Sequence, residues 1–361
     1  MKDSLPLPRR KTRQIYVGNV PLGGDAPIVV QSMTKTDTRD VSATVQQIKQ
    51  LEKEGCEIVR VAVPDQEAAE KIGEIKRQIN IPLVADIHFD YRLALKALEQ
   101  GADGLRLNPG NISQKEHVAL VAKLAKEKNV PIRLGINAGS LEKKLLQKYG
   151  GPAAEALVES AINHVHFLED LGFHLIKISL KASDVLTTLK AYQSISELTD
   201  YPLHIGLTEA GPLFPGSIKS AVGLGILLYQ GIGDTIRVSL TAEPVWEVRA
   251  AYYILKALGL RQRGIDLISC PLCGRKEADL FPIVKEIEEH FSGRPDFLRV
   301  AVMGCPVNGP GEAREADVGL AVGRGMALLF RHGEVIRQVK TREMISTLVA
   351  EVEKILKERK D

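Results

Sequence analysis

The sequence predicts an α/β protein, a (β/α)8 TIM-type barrel followed by a small α+β domain. Between residues 28 and 240, eight short runs rich in β-branched residues alternate with stretches of helical periodicity. Such alternation indicates parallel βαβ units, and eight units in about 240 residues favour a closed barrel over an open sheet. After residue 260 the alternation stops. We therefore place a barrel domain at residues 1–260 and a second domain at residues 261–361.

The eight predicted strands leave room for a helix after each of them. In chain order they are IVVQSMT (28–34), EIVRVAV (57–63), LVADIHF (83–89), GLRLNP (104–109), PIRLGIN (131–137), LIKISLKA (175–182), LHIGLTEAG (203–211) and DTIRVSL (234–240). The first intervening stretch, VQQIKQLEKEG, has apolar residues at three- and four-residue spacing and ends in Gly55. This pattern is typical of an amphipathic helix that stops at a glycine.

Two segments precede the first strand. MKDSLPLPRRKTR carries basic residues without an apolar stretch behind them, so it is not a secretory signal, and we expect a flexible arm. IYVGNVPLGGDAP predicts a hairpin that turns at Gly23–Gly24 and plugs the bottom of the barrel. In the second domain, FLRVAVMG, DVGLAVG, MALLFRHG and EVIRQV predict a small sheet, and REMISTLVAEVEKILKERK predicts a long amphipathic helix.

The composition is that of an ordinary globular protein, with 44% hydrophobic and 26% charged residues. No apolar run approaches the roughly 18 residues that cross a membrane. A net charge of +3 is too small to indicate nucleic-acid binding. Four cysteines in 361 residues indicate a reducing compartment, so we expect a cytoplasmic protein.

Polar side chains concentrate on the predicted barrel strands, whose C-terminal ends carry the chemistry in barrel enzymes. Arginine or lysine occurs on five of the eight strands, and an unpaired buried charge is costly. Asp86 and Glu209 are too few to neutralise these cations, so the sequence predicts a polyanionic ligand such as a phosphate or diphosphate. Each residue taken singly could equally be a satisfied polar group at a strand end. The set comprises Arg60, Asp86, His88, Arg106, Asn108, Arg133, Asn137, Lys177, Ser179, Lys181, His204, Thr208, Glu209, Arg237 and Ser239.

Three of the four cysteines lie in glycine- and proline-rich turns of the second domain. Cys270 and Cys273 form a C-x-x-C pair, and Cys305 follows in GCPVNGPGEA, which ends close to Glu312. Three thiolates suit a metal ion or cluster with one position left for another ligand, and Glu312 could return to supply it. Structural zinc and inert buried thiols are the alternatives. The fourth cysteine, Cys56, precedes a strand and is expected to be a small buried hydrophobe.

Several motifs span the chain from about residue 12 to its C-terminus: VQSMT, LRLNPGN, RLGINAGSL, KASD, HIGLTEAG, GIGDTIRVSL, CPLCGR and GCPVNGPGEA. Together they resemble the two-domain bacterial 4-hydroxy-3-methylbut-2-enyl diphosphate synthase family of the non-mevalonate isoprenoid pathway. The resemblance implies an iron–sulfur oxidoreductase with a [4Fe–4S] cluster in the small domain. It implies 2-C-methyl-D-erythritol 2,4-cyclodiphosphate as substrate, a two-electron reductive ring opening with loss of water, and flavodoxin or ferredoxin as electron donor.

The resemblance also implies roles for individual residues. Glu209 would be the acid near the departing oxygen. The cluster ligands would be Cys270, Cys273, Cys305 and Glu312. The substrate clamp would comprise Arg60, Arg106, Arg133, Asn137, Lys181 and Ser239, with Arg237 and Asn108 nearby. Whether Asp86, His88, Lys177 and His204 touch the substrate stays open. A homodimer is implied, in which one subunit's cluster domain covers the partner's barrel and forms composite active sites.

Two other functions compete with this interpretation. A pterin-binding methyltransferase also uses a (β/α)8 mouth, but it leaves the cysteine turns unexplained. A non-catalytic sensor of a phosphorylated ligand, with structural zinc in the second domain, explains both features without a reaction.

Overall fold

The computed structural model describes residues 7–108, 114–273, 277–305, 311 and 313–359. The chain forms two compact units, Met1–Arg261 and Gln262–Asp361.

Eight parallel strands form the barrel of the first unit, and the predicted fold class is confirmed. Around the sheet they run β8-β7-β6-β5-β4-β3-β10-β9, and a parallel bridge between Ile178 and Leu203 brings the two ends together. The barrel strands are β3 (Val29–Met33), β4 (Ile58–Ala62), β5 (Leu83–Ile87), β6 (Gly104–Leu107), β7 (Ile132–Asn137), β8 (Ile176–Lys181), β9 (His204–Ile205) and β10 (Thr235–Ile236).

Helices return the chain from each strand to the next. They are α1 (Val41–Glu54), α2 (Gln66–Lys76), α3 (Tyr91–Glu99), α4 (Lys115–Glu127), α5 (Lys143–Tyr149), α6 (Ala154–Asp170), α7 (Val185–Leu198), α8 (Leu213–Tyr229) and α9 (Pro244–Ala257). Four of them begin after an aspartate whose carboxylate accepts a first-turn amide proton, namely Asp40, Asp65, Asp90 and Asp184. Such caps stabilise helix starts by about 1 kcal/mol each. Within the part of the chain that is described, no helix is long and apolar enough to cross a bilayer.

The last two barrel strands are much shorter than the sequence predicts. The ladder between β9 and β10 ends at Ile205 and Ile236, although Arg237 N still donates to the Ile205 carbonyl at 3.0 Å. At the next position, a Cβ on Gly206 would lie 2.5 Å from the Arg237 carbonyl oxygen. The segments that follow β9 and β10 therefore come close together because residue 206 is a glycine, and they do not pair as regular strands. The polar residues beyond them lie on loops.

A hairpin covers the N-terminal end of the barrel, as expected, but its turn is not at Gly23–Gly24. Strands β1 (Ile15–Val17) and β2 (Val20–Leu22) pair with Val17 opposite Val20, so the chain reverses at Gly18, whose φ is +57°. The earlier reversal lets Leu22 face the barrel. The hairpin packs on the first residues of the strands through Ile15, Val17, Leu22, Val29, Ile58 and Val84.

The basic segment before the hairpin is held against the barrel, so the prediction of a flexible arm is wrong for its described residues. Leu7 N donates to the Tyr229 carbonyl at 2.9 Å, and Arg9 pairs with Asp234 at 2.7 Å. Arg10 donates to the Tyr201 carbonyl at 2.5 Å. Arg9 thus binds a carboxylate that precedes β10, and Arg10 binds a backbone carbonyl. The amino-acid composition of the segment does not predict these tertiary contacts.

In its described residues, the second unit is a five-stranded mixed sheet covered by two helices. Strands β11 (Ile265–Ser269), β12 (Leu298–Met303) and β13 (Val318–Val322) are parallel, and β14 (Met326–Arg331) and β15 (Glu334–Lys340) continue antiparallel. Helices α10 (Phe281–His290) and α11 (Met344–Glu358) pack on the sheet through an apolar core. The predicted α+β domain is confirmed, with β11 as an additional strand that leads into Cys270.

Two glycines of α8 provide a test of barrel packing. A Cβ on Gly216 would lie 2.7 Å from the Leu240 side chain and 2.8 Å from the Gly211 carbonyl oxygen, whereas a Cβ on Gly225 would meet nothing within 4 Å. We expect Gly216→Ala to destabilise the fold by about 1–3 kcal/mol because the backbone must shift. Gly225→Ala should instead stabilise it by up to about 1 kcal/mol, because alanine is the better helix former.

The measurement is thermal unfolding followed by circular dichroism, with both variants and the unchanged chain in one buffer. A higher Tm for Gly216→Ala than for Gly225→Ala would contradict the packing described for this helix.

Candidate active site

Cationic side chains from several strands lie together inside the barrel. Arg106 is opposite Arg133 in the β6–β7 register, and Asn137 is opposite Lys181 in the β7–β8 register. Arg60, Arg106, Arg133 and Lys181 are all less than 10% exposed. The structure therefore brings the predicted clamp residues of β4, β6, β7 and β8 to one interior site.

Asp86 is the carboxylate at the centre of this group. Its oxygens lie 3.1 Å from Arg106 Nη1, 3.6 Å from Arg60 Nε and 3.4 Å from His88 Nε2. Burial alone would raise the pKa of Asp86, but Arg60, the contact with His88 and Arg106 together hold that pKa well below its usual range. Asp86 is consequently ionised at neutral pH, and it orients two arginines while offsetting only part of their charge.

A second carboxylate, which the strand pattern of the sequence does not predict, comes from helix α9. Glu247 accepts hydrogen bonds from Ser32 Oγ at 3.1 Å and from Leu240 N at 3.0 Å. It also pairs with Lys35 Nζ at 3.2 Å and lies 3.8 Å from Arg237 Nη2. Glu247 thus ties the helix to Arg237. The sequence feature that could have indicated Glu247 is its position on the otherwise apolar, buried face of a helix.

Two glycines, which were likewise not among the predicted site residues, leave space for cationic side chains. Arg106 Nη2 donates to the Gly135 carbonyl at 3.1 Å, and a Cβ at this glycine would lie 2.4 Å from Arg106 Nε. A Cβ on Gly206 would lie 2.7 Å from Lys181 Nζ. In the sequence, both glycines lie inside a predicted strand between inward-facing polar residues. A glycine at such a position indicates that another group comes close to the backbone.

The other predicted clamp residues differ in their degree of burial and in their partners. Asn108 donates through Nδ2 to Ser140 Oγ at 2.9 Å. The Asn137 amide, with its oxygen towards Arg106, accepts from Nη2 at 3.1 Å. Arg237 and Ser239 are partly buried on the chain that follows β10. Asn108 is buried, whereas Asn137, Arg237 and Ser239 are only partly buried near the C-terminal end of the barrel.

The buried cations outnumber the carboxylates that touch them. Burial, followed by the charges of neighbouring arginines, lowers the pKa of Arg133 and of Lys181. Arg133 Nε and Nη1 have no hydrogen-bond partner among the described residues. Unpaired guanidinium donors in a buried site are costly unless an anion binds to them. The arrangement is therefore suited to a ligand with several negative charges.

Glu209 is placed differently from the residues of the clamp. Its side chain is exposed on the loop after β9, and its φ of +51° is in the left-handed region. A non-glycine residue in that conformation costs about 1–3 kcal/mol and persists only where the surroundings impose it. Its carboxylate has no partner in the described segments. It is thus free to approach a ligand at the barrel mouth.

The cysteine turns follow neighbouring strands of the second unit. Cys270 directly follows β11, and its amide donates to the Val302 carbonyl at 3.1 Å. A Cβ on Gly304 would lie 3.8 Å from Cys270 Sγ, which puts this sulfur beside the residue that precedes Cys305. Cys273 is exposed after Leu272, whose φ is +58°.

The predicted ligand Glu312 lies outside the described residues. Within the described ranges, no group of three or more possible ligands is close enough to hold a metal ion. The donor set itself, a C-x-x-C pair and a third cysteine at the adjacent strand end, fits an iron–sulfur cluster, because thiolates are the usual ligands of such clusters. Cys56 is buried as predicted, and burial raises the pKa of its thiol to about 12, so it is an inert hydrophobe.

Gly135 and Gly139 give a matched test of the anion site. We expect Gly135→Ala to displace Arg106 and weaken diphosphate binding by about 1.5–3 kcal/mol, the value of a hydrogen bond to a charged group. A Cβ on Gly139 would meet nothing within 4 Å, so Gly139→Ala should bind like the unchanged chain. The measurement is isothermal calorimetry with inorganic pyrophosphate, and equal affinities in the two variants would contradict the proposed geometry.

Comparison with known proteins identifies the family. The GcpE TIM-barrel domain matches residues 12–252, and the GcpE protein C-terminal domain matches residues 266–354. The barrel also resembles dihydropteroate synthase from Stenotrophomonas maltophilia, with 16% identity over 69% of this chain and 98% of that chain and a TM-score of 0.52. At that identity the likeness shows the fold alone and gives no support to a pterin-binding function.

Curated relatives cover nearly the whole chain. A protein of Geobacter sulfurreducens is 64% identical over 97% of this chain and 99% of its own length. One of Anoxybacillus flavithermus is 57% identical over 97% of this chain and 96% of its own. Both are named 4-hydroxy-3-methylbut-2-en-1-yl diphosphate synthase (flavodoxin). The predicted resemblance and the prediction of an enzyme are confirmed, and the chain belongs to the GcpE family.

Proposed function

We propose that the chain reduces 2-C-methyl-D-erythritol 2,4-cyclodiphosphate to (E)-4-hydroxy-3-methylbut-2-enyl diphosphate. The reaction consumes two electrons and two protons, opens the cyclic diphosphate by breaking a C–O bond, and releases one hydroxyl as water. The observation that carries the proposal is the excess of buried cations at the barrel site of a chain whose curated relatives bear the name of this synthase. The same name supports flavodoxin as the electron donor.

In this proposal the diphosphate binds between the arginines of neighbouring strands. Arg106 and Arg133 offer planar donor pairs to phosphoryl oxygens. Arg60 contacts Asp86 together with Arg106, and Arg237 lies on the chain that follows β10. Asp86 and Glu247 keep three of these arginines oriented, because Asp86 contacts two guanidinium groups and Glu247 contacts that of Arg237. The remaining ligand contacts would come from Asn108, Asn137, Lys181 and Ser239.

Glu209 is the proton donor of the proposed reaction. It lies on the loop after β9, next to the strands that carry the cations. Its left-handed backbone conformation places the carboxylate on an exposed turn instead of continuing the strand. We assign it to the hydroxyl that leaves as water, because loss of hydroxide from carbon requires protonation of that oxygen.

Cys270, Cys273 and Cys305, together with Glu312, would hold a [4Fe–4S] cluster. When bound, the cluster would supply electrons singly from the external donor. Glu312 would be the fourth, non-thiolate ligand of the cluster and a weaker one than the three cysteines. This fourth ligand distinguishes the proposal from structural zinc, whose sites are closed.

We further propose a homodimer in which one subunit's cluster domain completes the partner's barrel. A row of exposed apolar side chains on α8 supports association: Phe214, Ile218, Val222 and Ile226 follow one another at four-residue spacing. Residues at this spacing lie on one face of a helix. An exposed apolar row of this kind marks an interaction surface, and a second copy of the chain is the partner that the composite site requires.

Complementation between two inactive chains tests the function and the assembly together. Cys270→Ser should lose the cluster, and Glu209→Gln should retain it but lose turnover. Each mixed heterodimer should regain one intact site, and so up to about half the activity of a dimer of unchanged chains. The assay uses anaerobically reconstituted protein, reduced flavodoxin and the cyclic diphosphate, with product identified by mass spectrometry.

Glu197→Gln, at an exposed glutamate of α7, is the matched control and should retain full turnover. Absence of product from the unchanged, cluster-loaded chain would disprove the function. Persistent inactivity of demonstrated heterodimers, alongside an active unchanged chain, would disprove the composite site alone.

A further inference from the structure

A buried lysine lies inside the barrel, level with Arg133 of the proposed clamp. Lys177 is on β8, four residues before Lys181, so both face the interior and are separated by about 13 Å along the strand. Its register partner on β7 is Arg133. The residue is 3% exposed, and its Nζ has no hydrogen-bond partner in the described part of the chain.

The charged and titratable groups around Lys177 are mostly cationic or neutral. Arg133 faces it from β7 and Arg60 from β4, while Lys181 lies further along its own strand. His204 on β9 is fully buried, and burial followed by the charge of Arg133 holds its pKa well below the ordinary value, so its imidazole is neutral.

Among the described residues, the carboxylate that favours the ammonium form of Lys177 is Asp234, which precedes β10. Its oxygens are already bound by Arg9 at 2.7 Å, by Leu203 N at 2.8 Å and by Thr12 Oγ1 at 3.1 Å. Lys177 is therefore a potential cation without an ion-pair partner, in a layer where neighbouring cations oppose its charge.

An uncompensated ammonium in such a place is unfavourable, and the equilibrium shifts towards the amine. Burial first, and then the charge of Arg133, lowers the pKa of Lys177 to about 7. At pH 8 most of the ligand-free protein consequently has a neutral amine at this position. A polyanion bound to Arg133 would remove much of the repulsion and would favour the ammonium form.

We propose that, above neutral pH, Lys177 takes up one proton from solvent when the diphosphate substrate binds, so that a buried cation forms beside Arg133 in the complex. The amine nitrogen gains the proton, the buffer loses it, and no electron moves. Lys177 is a positioning residue in this account, because it acts on the ligand through Arg133. The inference rests on the proposed substrate and adds a proton linkage to its binding.

Calorimetry in buffers of different ionisation enthalpy measures the protons taken up on binding. The probe is 2-C-methyl-D-erythritol 2,4-cyclodiphosphate, whose phosphoryl groups each have one acidic hydroxyl and do not titrate near neutrality. At pH 8 we expect the unchanged chain to bind with proton uptake, and Lys177→Met to bind with about one proton fewer. Lys190→Met, at an exposed lysine of α7, is the control and should match the unchanged chain.

The pH dependence of affinity provides a second readout that a purely structural role would not change. Above pH 7, Kd of the unchanged chain should rise by up to about tenfold per pH unit, since binding then requires an additional proton. In Lys177→Met, Kd should depend less steeply on pH, because one proton fewer is taken up on binding. Equal proton uptake in Lys177→Met and the unchanged chain would overturn the proposal.

If Lys177→Met does not fold, Lys177→Gln and the unchanged chain still decide the question. Proton uptake by the unchanged chain should be greater at pH 8 than at pH 6, where Lys177 is already protonated before binding. Uptake that is equal at the two pH values would overturn the inference. Absence of any binding isotherm would instead show that the proposed substrate is wrong.

Discussion

The buried excess of positive charge inside the barrel is the constraint on which the rest of the site depends. Within the described part of the chain, Arg60, Arg106 and Arg133 are buried around one carboxylate, Asp86. Charge in a protein interior is stable only if it is paired, solvated or neutralised. The barrel meets this requirement partly with its own carboxylates and leaves the rest to a ligand. The uncompensated charge lowers the stability of the ligand-free protein and raises its affinity for a diphosphate.

The elements around the cations hold them in place without cancelling their charge. Gly135 leaves space for the Arg106 guanidinium and accepts its hydrogen bond, while Gly206 leaves space for the Lys181 ammonium. Glu247 reaches from helix α9 to the Arg237 side of the barrel. Orientation imposed before binding reduces the entropy that a ligand must pay, which is the general advantage of a preorganised site.

Much of the barrel could be predicted from the sequence because periodicity determines which strand residues face inward. Spacing along β-branched runs predicts that Arg106, Arg133 and Lys181 face inward. In the structure the two arginines are register partners, and their charges act on the buried Lys181. Glu247 could not be found in this way, because it approaches from a helix and its partners are distant in sequence. The hairpin turn at Gly18 and the arginine contacts of the N-terminal segment depend on tertiary packing, which local patterns do not encode.

The most direct measurement of the central claim compares a charged and an uncharged form of the same carbon skeleton. The cluster-free chain is titrated calorimetrically with 2-C-methyl-D-erythritol 2,4-cyclodiphosphate and, separately, with 2-C-methyl-D-erythritol. The account predicts saturable binding of the cyclic diphosphate that weakens with added salt, and no measurable binding of the uncharged alcohol. Equal affinity for the two compounds, or binding of the diphosphate that persists when Arg106 and Arg133 are both replaced by methionine, would contradict it.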